Sequence, residues 1–214
     1  MKQLSLLLLP LLLFTTSCLK SGNKIKTEDI TTGEKWGIQI GSSPAEVYGQ
    51  LQELDEEKNV SGVEVINMPL FDNPASVGPS ITLYQIISLE EQDAAYPNRV
   101  LIAFNDNKVK VAAGTAMPDS VSRWPQNAAD DKAIIYGEAI STFYDKLMDV
   151  HASGVLNNYK IRLGAKALAT AYDPRMATYT RWRISFFHDG ILSTADLYFK
   201  SGALERIYHE YTEM

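Results

Sequence analysis

The chain has 214 residues, with 26 acidic against 20 basic side chains, a formal net charge of −6 and a pI near 5.1. An acidic balance without a run of Lys or Arg argues against nucleic acid as a partner, because that binding depends on clustered basic side chains. One cysteine in the whole chain excludes an intrachain disulfide and any multi-thiolate metal site.

Lys2 gives the N-terminus a positive charge, and Leu4 to Phe14 form an apolar run interrupted only by Ser5 and Pro10. Thr15-Thr16-Ser17 follow as small residues, and Cys18 comes next. A charged start, a short apolar core and small residues at the cut are the grammar of a secretory signal. The run is too short to span a bilayer, which takes about 20 residues. Thr-Thr-Ser-Cys resembles the lipobox of bacterial lipoproteins, with Thr15 where leucine is usual. That resemblance implies a signal peptide over residues 1–17 and a lipid-anchored mature chain whose first residue is the lipid-carrying Cys18. Leu19 stands where aspartate would retain such a protein in the inner membrane, so the expected location is the cell envelope at the outer membrane.

Residues 18–35 are polar, with Lys20, Lys24, Lys26, Glu28 and Asp29 among Ser, Gly, Asn and Thr, and read as a flexible tether. Ile38-Gln39-Ile40-Gly41 then leads into a well-signalled helix. Ser43 caps it, Pro44 suits its first turn, and Glu46 completes a capping box. Val47, Tyr48, Leu51 and Leu54 share one face of that helix, with Gln50, Gln52, Glu53 and Asp55 on the other. Ile81 to Ser88 and Arg99 to Val111 carry the alternation of strands. Gly114 to Asp130, with Pro118, Asp119, Ser122, Pro125 and Asn127, reads as a linker in which Trp124 packs between units.

The pattern then recurs. Gly137, Phe143, Tyr144, Leu147 and Val150 stand 96 residues after Gly41, Val47, Tyr48, Leu51 and Leu54. Ala195 to Leu204 repeats the strand, turn and strand of Val100 to Val109 at an offset of 95. Asp130 or Asp131 can cap a longer second helix running to Val150, unless Gly137 breaks it. Further on, Trp182, Ile184 and Phe186 alternate with Arg181, Arg183 and Ser185, and His188-Asp189-Gly190 and Ser201-Gly202 turn the chain into an antiparallel meander. The expected fold class is α+β: two tandem repeats over 36–113 and 131–214, each a helical element packed on an antiparallel β-meander, joined by a linker over 114–130.

The order Ile-x-Ile-Gly, capped helix, loop, strand, strand, turn and strand resembles the small outer-membrane assembly lipoproteins of the SmpA/OmlA type. Two such units in tandem are similar to the β-lactamase-inhibitor protein fold. The similar pieces are residues 38–54, Ile81 to Ser88 and Arg99 to Val111, with a looser second copy over 137–211. Val60 to Pro79 and Asn157 to Arg175 have no clear counterpart in that pattern. The resemblance implies sheets that offer a concave face to a protein partner.

Catalytic signals are weak. His151, His188 and His209 lack metal-ligand spacing, and neither a nucleophile elbow nor a phosphate-binding glycine loop is present. No catalytic residue, metal or cofactor is therefore expected, and the chain is not read as an enzyme. The outward face of the last meander is more informative, because it places Tyr179, Arg181 and Arg183 beside Asp196, Tyr198 and Lys200. Tyr and Arg carry much of the binding energy at protein interfaces. Tyr179, Arg181, Arg183 and Tyr198 are thus the candidate protein-binding residues, for an envelope protein as partner. The alternatives are a glycan or small ligand held by aromatics among Tyr159, Tyr172, Tyr179 and Trp182, and, third, a hydrolase.

Overall fold

The computed structural model describes residues 24–115 and 117–214. The expected signal segment over 1–17, Cys18 and the first part of the expected tether, to residue 23, lie outside the described residues. Beyond them the tether expected over 18–35 is corrected. Lys26–Ile30 is a strand (β1), paired antiparallel with the last strand of the chain from Lys26 opposite Tyr211 to Ile30 opposite Ile207. A polar edge strand takes its order from a neighbour's backbone groups, so it leaves no apolar signature. Glu34–Lys35 and Ile38–Gln39 then pair as a short ribbon around a turn at Trp36 and Gly37.

Helix α1, Pro44–Lys58, starts as its sequence predicts. The Ser43 side chain accepts from the Glu46 N–H, and the Glu46 carboxylate accepts from the Ser43 N–H at 2.7 Å. Val47, Tyr48, Leu51 and Leu54 are buried along one face. Strands β2 (Gly62–Val65), β3 (Ile86–Glu91), β4 (Arg99–Asn105) and β5 (Lys108–Gly114) follow. Helix α2 spans Phe143–Ala152, and β6 (Tyr159–Leu163), β7 (Arg181–His188), β8 (Ile191–Lys200) and β9 (Ala203–Glu213) complete the chain. The molecule is a mixed α+β structure built mainly of antiparallel sheet.

Two sheets dominate. One has the order β1-β9-β8-β7-β2 with Lys166–Ala167 at its edge; the other has β6-β3-β4-β5 with Asp119–Ser120 at its edge. The β4–β5, β7–β8 and β8–β9 hairpins turn on residue pairs that both have positive φ: Asp106-Asn107, Asp189-Gly190 and Ser201-Gly202. Such turns match the right-handed twist of the strands they join.

The packing partners differ from the tandem arrangement expected over 36–113 and 131–214. Helix α1 does not cover the meander that follows it. Its Val47, Leu51 and Leu54 pack with Trp182, Ile184, Leu197 and Ile207 of the C-terminal meander. Helix α2 places Phe143, Leu147 and Val150 against Ile87, Leu89, Ile102 and Val111 of the middle one. The neighbouring strands cross over in the same way, with β2 pairing with β7 and β6 with β3. One core is therefore made by both ends of the chain, residues 38–63 with 168–207, and the other by the stretch between them, residues 77–163. The residue pattern could specify which faces are dry but not which dry faces meet.

The second helix is also shorter than its longest reading. Asp130 and Asp131 open only a 3-10 turn, Asp130–Lys132, and Ile134–Ile135 then pairs with Arg123–Trp124 as a ribbon. Gly137 follows with φ 86°, so the chain bends before α2 can begin. The 114–130 connection is consequently structured, and Trp124 sits within the second core, 5.6 Å from the Tyr159 ring.

The segment 164–175, part of the stretch without a counterpart, joins the two cores. Lys166 is fully buried, and its ammonium donates to the Tyr48 hydroxyl at 2.8 Å, the Ala167 carbonyl at 3.1 Å and the Thr170 hydroxyl. Thr170 in turn donates to the Leu83 carbonyl, and buried Asp173 accepts from the Tyr84 hydroxyl at 3.0 Å. Tyr48 belongs to one core and Tyr84 to the other. Burial pushes Lys166 down to about 8 and the Tyr48 phenol up to about 12.

Candidate functional site

Strand parity builds the outer face of the C-terminal sheet. Trp182, Ile184 and Phe186 of β7 are buried, which turns Arg181, Arg183, Ser185 and Phe187 outward. Tyr198 lies opposite Arg181 on one side and Arg206 on the other, and Asp196 lies between Arg183 and Tyr208. Asp29 of β1 lies opposite Tyr208. Five strands thus contribute to one ladder of alternating charge and aromatic ring, counting Glu64 of β2 opposite Arg183.

Asp196 organises this ladder although it is only 5 % exposed. Arg183 donates to it in bidentate fashion, Nε at 2.9 Å and Nη2 at 3.0 Å, and Arg181 Nη2 donates at 2.6 Å. Burial alone would push the Asp196 carboxyl up. The hydrogen bonds from Arg183 and Arg181 reverse that and hold it below the ordinary aspartate value. Tyr198 is flanked by two guanidiniums, Arg181 and Arg206, each 5.3 Å from its ring centre. Arg206 also lies 5.4 Å from the Tyr208 ring and donates to Asp29 at 2.7 Å.

A variant tests the role of this carboxylate. Asp196→Ala is expected to lower stability by about 1–3 kcal/mol, toward the lower end because the two arginines are partly solvated. The folded-state pKa of Asp196 is depressed, so its contribution is complete above the ordinary aspartate range and is lost as pH falls through the folded value. Urea unfolding of both proteins from neutral pH into acid should show the gap closing.

Of the four expected residues, Arg181, Arg183 and Tyr198 come together, and Tyr179 stands ahead of β7, outside their cluster. Tyr179 closes the 3-10 turn Pro174–Thr178, and its phenol raises the pKa of buried Tyr84. The aromatics considered for a glycan also separate. Trp182 is fully buried and Tyr172 packs beside it in one core, while Tyr159 packs on the other. Arg206, Tyr208 and Asp29 were missed. The alternation of Arg206 and Tyr208 with buried Leu204 and Ile207 was readable, interrupted by the β-bulge at Tyr198–Phe199. Asp29 was not, because its segment carries no strand signature.

A second region lies at the opposite face of the same sheet. Glu28, Lys35, Trp36, Phe186, His209 and Tyr211 line a cleft of about 270 Å³. His209 is 4 % exposed; its Nδ1 lies 3.4 Å from Glu28 Oε2, and its Nε2 has no hydrogen-bond partner among the described residues. Burial holds the imidazole below its ordinary pKa against the pull of Glu28. Trp36 packs edge-on to His209 at 4.6 Å and has φ 54°, a left-handed conformation that bulky residues rarely adopt. Such strain is held by its surroundings and concentrates at functional positions.

Among the described residues no group of three or more His, Cys, Asp or Glu is placed to hold a metal ion, and no helix is long and apolar enough to cross a membrane. No family model matches the chain, and no curated protein matches it.

Proposed function

We propose that this chain is a non-catalytic protein-binding module of the bacterial cell envelope, anchored by lipid at Cys18 and acting as an assembly accessory or an inhibitor. The observation that carries this reading is the guanidinium–aromatic ladder, with Tyr198 between Arg181 and Arg206. Arg and Tyr are hot-spot residue types, and side chains already held in place lose less freedom on binding. The anchor rests on the lipobox resemblance, as does the expected outer-membrane location.

The same reading takes the chain as a duplication in which the two copies exchange their first halves. Gly41 and Gly137 both have positive φ, at 97° and 86°. The buried helix positions Val47, Leu51 and Leu54 correspond to Phe143, Leu147 and Val150. The 3-10 turns Pro79–Leu83 and Pro174–Thr178 also lie at an offset of 95. These correspondences support the resemblance to the SmpA/OmlA-type and β-lactamase-inhibitor arrangements, with helices traded between units.

Capture from detergent-solubilised envelopes tests the binding function, using the full chain and a Tyr198→Ala, Arg206→Ala double variant. Neither substitution leaves buried Asp196 unpaired, so folding is preserved, which a thermal melt verifies. The wild type is expected to hold a partner that the variant retains at least about tenfold less well, the loss of one hot spot or more. No partner, or one held equally by both proteins, removes this function from the face. The cleft supports a second reading, a small ligand or saccharide packed against Trp36 and Tyr211 beside Glu28 and Lys35.

A further inference from the structure

We infer that the hairpin end of the C-terminal sheet rests on the lipid surface, which rests on the reading of Cys18 as the lipid anchor. Eight large apolar side chains are exposed among the described residues, and four of them lie at this one end: Ile25, Phe187, Leu192 and Met214. Phe187 is 57 % exposed and lies directly opposite Leu192, which is 45 % exposed. Leu192 lies opposite Thr212 on its other side. Ile25, 69 % exposed, precedes Lys26, which pairs with Tyr211, and so extends the row past Thr212. Met214 is tied to the hairpin through its N–H to the Gly190 carbonyl at 2.9 Å. The other four exposed residues, Tyr96, Met117, Tyr136 and Val155, fall in four separate connections and need no common explanation.

The occupant follows from where the chain enters. Ile25 belongs to the row and stands seven residues after Cys18. Seven residues span at most about 25 Å when fully extended. With acyl chains on Cys18, the first part of the domain that the membrane can meet is therefore this apolar row. An anchored chain also holds the row at a high effective concentration beside the bilayer, so a small apolar contact suffices. Lys24 and Lys26 are matched at this end by Asp189 and Glu213, with Lys26 paired to Glu213, so no net positive charge is left for an electrostatic attachment. The contact is apolar. The ladder at Asp196 and Tyr198 stands four to six residues further along β8, about 13–20 Å along the strand from Leu192.

The single native cysteine makes the test clean, because acylation consumes its thiol. Leu192→Cys and, as a control, Tyr96→Cys are each labelled with an environment-sensitive fluorophore on the lipidated full-length chain. The proteins are reconstituted in phosphatidylethanolamine–phosphatidylglycerol vesicles with doxyl groups at a shallow acyl position. The label at 192 is expected to shift to the blue and lose intensity to the doxyl quencher, with neither change at 96; Phe187→Cys repeats the result. A protein that floats with vesicles while the label at 192 stays in water overturns the docking and leaves the anchor standing. A blue shift without lipid quenching overturns it too, because a protein surface, such as a second copy, then covers the row. A chain that carries no acyl group by mass and does not float overturns both the anchor and the docking.

Discussion

Divided within the connection 114–130 and produced separately, the two parts of the chain are each expected to be unfolded, and to regain native circular dichroism only when mixed. The reason is the exchange of packing partners. The C-terminal meander alone would expose Trp182, Ile184, Leu197 and Ile207, whose cover is Val47, Tyr48, Leu51 and Leu54 of α1. Burying each such side chain is worth about 1.5–3 kcal/mol, so losing α1 alone removes on the order of 6–12 kcal/mol. That equals the whole stability of a typical domain, about 5–15 kcal/mol. The N-terminal part meets the same deficit, because Phe143, Leu147 and Val150 cover its meander from the other side of the cut. The intact chain is correspondingly expected to unfold in one transition that fluorescence and circular dichroism report at the same urea concentration. A separate residue 36–113 fragment with its own sigmoidal melt would contradict the exchanged packing.

The second large effect concerns Lys166 and pH. The ordinary lysine value is 10.5, and burial lowers the folded one to about 8. Between these values the unfolded chain holds a proton that the folded chain has released, so stability rises with pH through this window. One pH unit is worth about 1.4 kcal/mol, which gives a gain of about 2–3 kcal/mol from pH 8 to 10. Above pH 10 the sign reverses. The Tyr48 phenol is pushed up to about 12 and Tyr84 is raised as well, so the unfolded tyrosines ionise first. The expected result is a stability maximum near pH 10, seen as urea midpoints measured from pH 7 to 11. Lys166→Met removes the rising limb. At pH 7 it is as stable as the wild type or more so, because the desolvation cost of the charge disappears with it. Tyr48 keeps a partner in that variant, since its hydroxyl also donates to the Ala167 carbonyl at 2.7 Å. An unchanged rise between pH 8 and 10 in the variant would place the titration elsewhere.

Local rules carried the sequence reading wherever a residue answers to its neighbours. The Ser43–Glu46 box starts α1 where it was expected, Asp189-Gly190 and Ser201-Gly202 make the turns their residues favour, and the alternation around Trp182 gives the dry face of β7. Arg181, Arg183 and Tyr198 of the outer face follow from that same alternation. What depends on distant chain was hidden. β1 is polar and ordered by β9 about 180 residues away, so Lys26–Ile30 looked like tether. Nothing in the chain next to Lys166 and Asp173 signals that Tyr48 and Tyr84, about 120 and 90 residues away, bond to them. Helices α1 and α2 present apolar stripes that fit either meander, and only the crossed pairing of β2 with β7 and β6 with β3 decides which core each one fills. A periodic apolar stripe states that a face must be buried; its partner is chosen by the tertiary fold, where chain connectivity and shape apply.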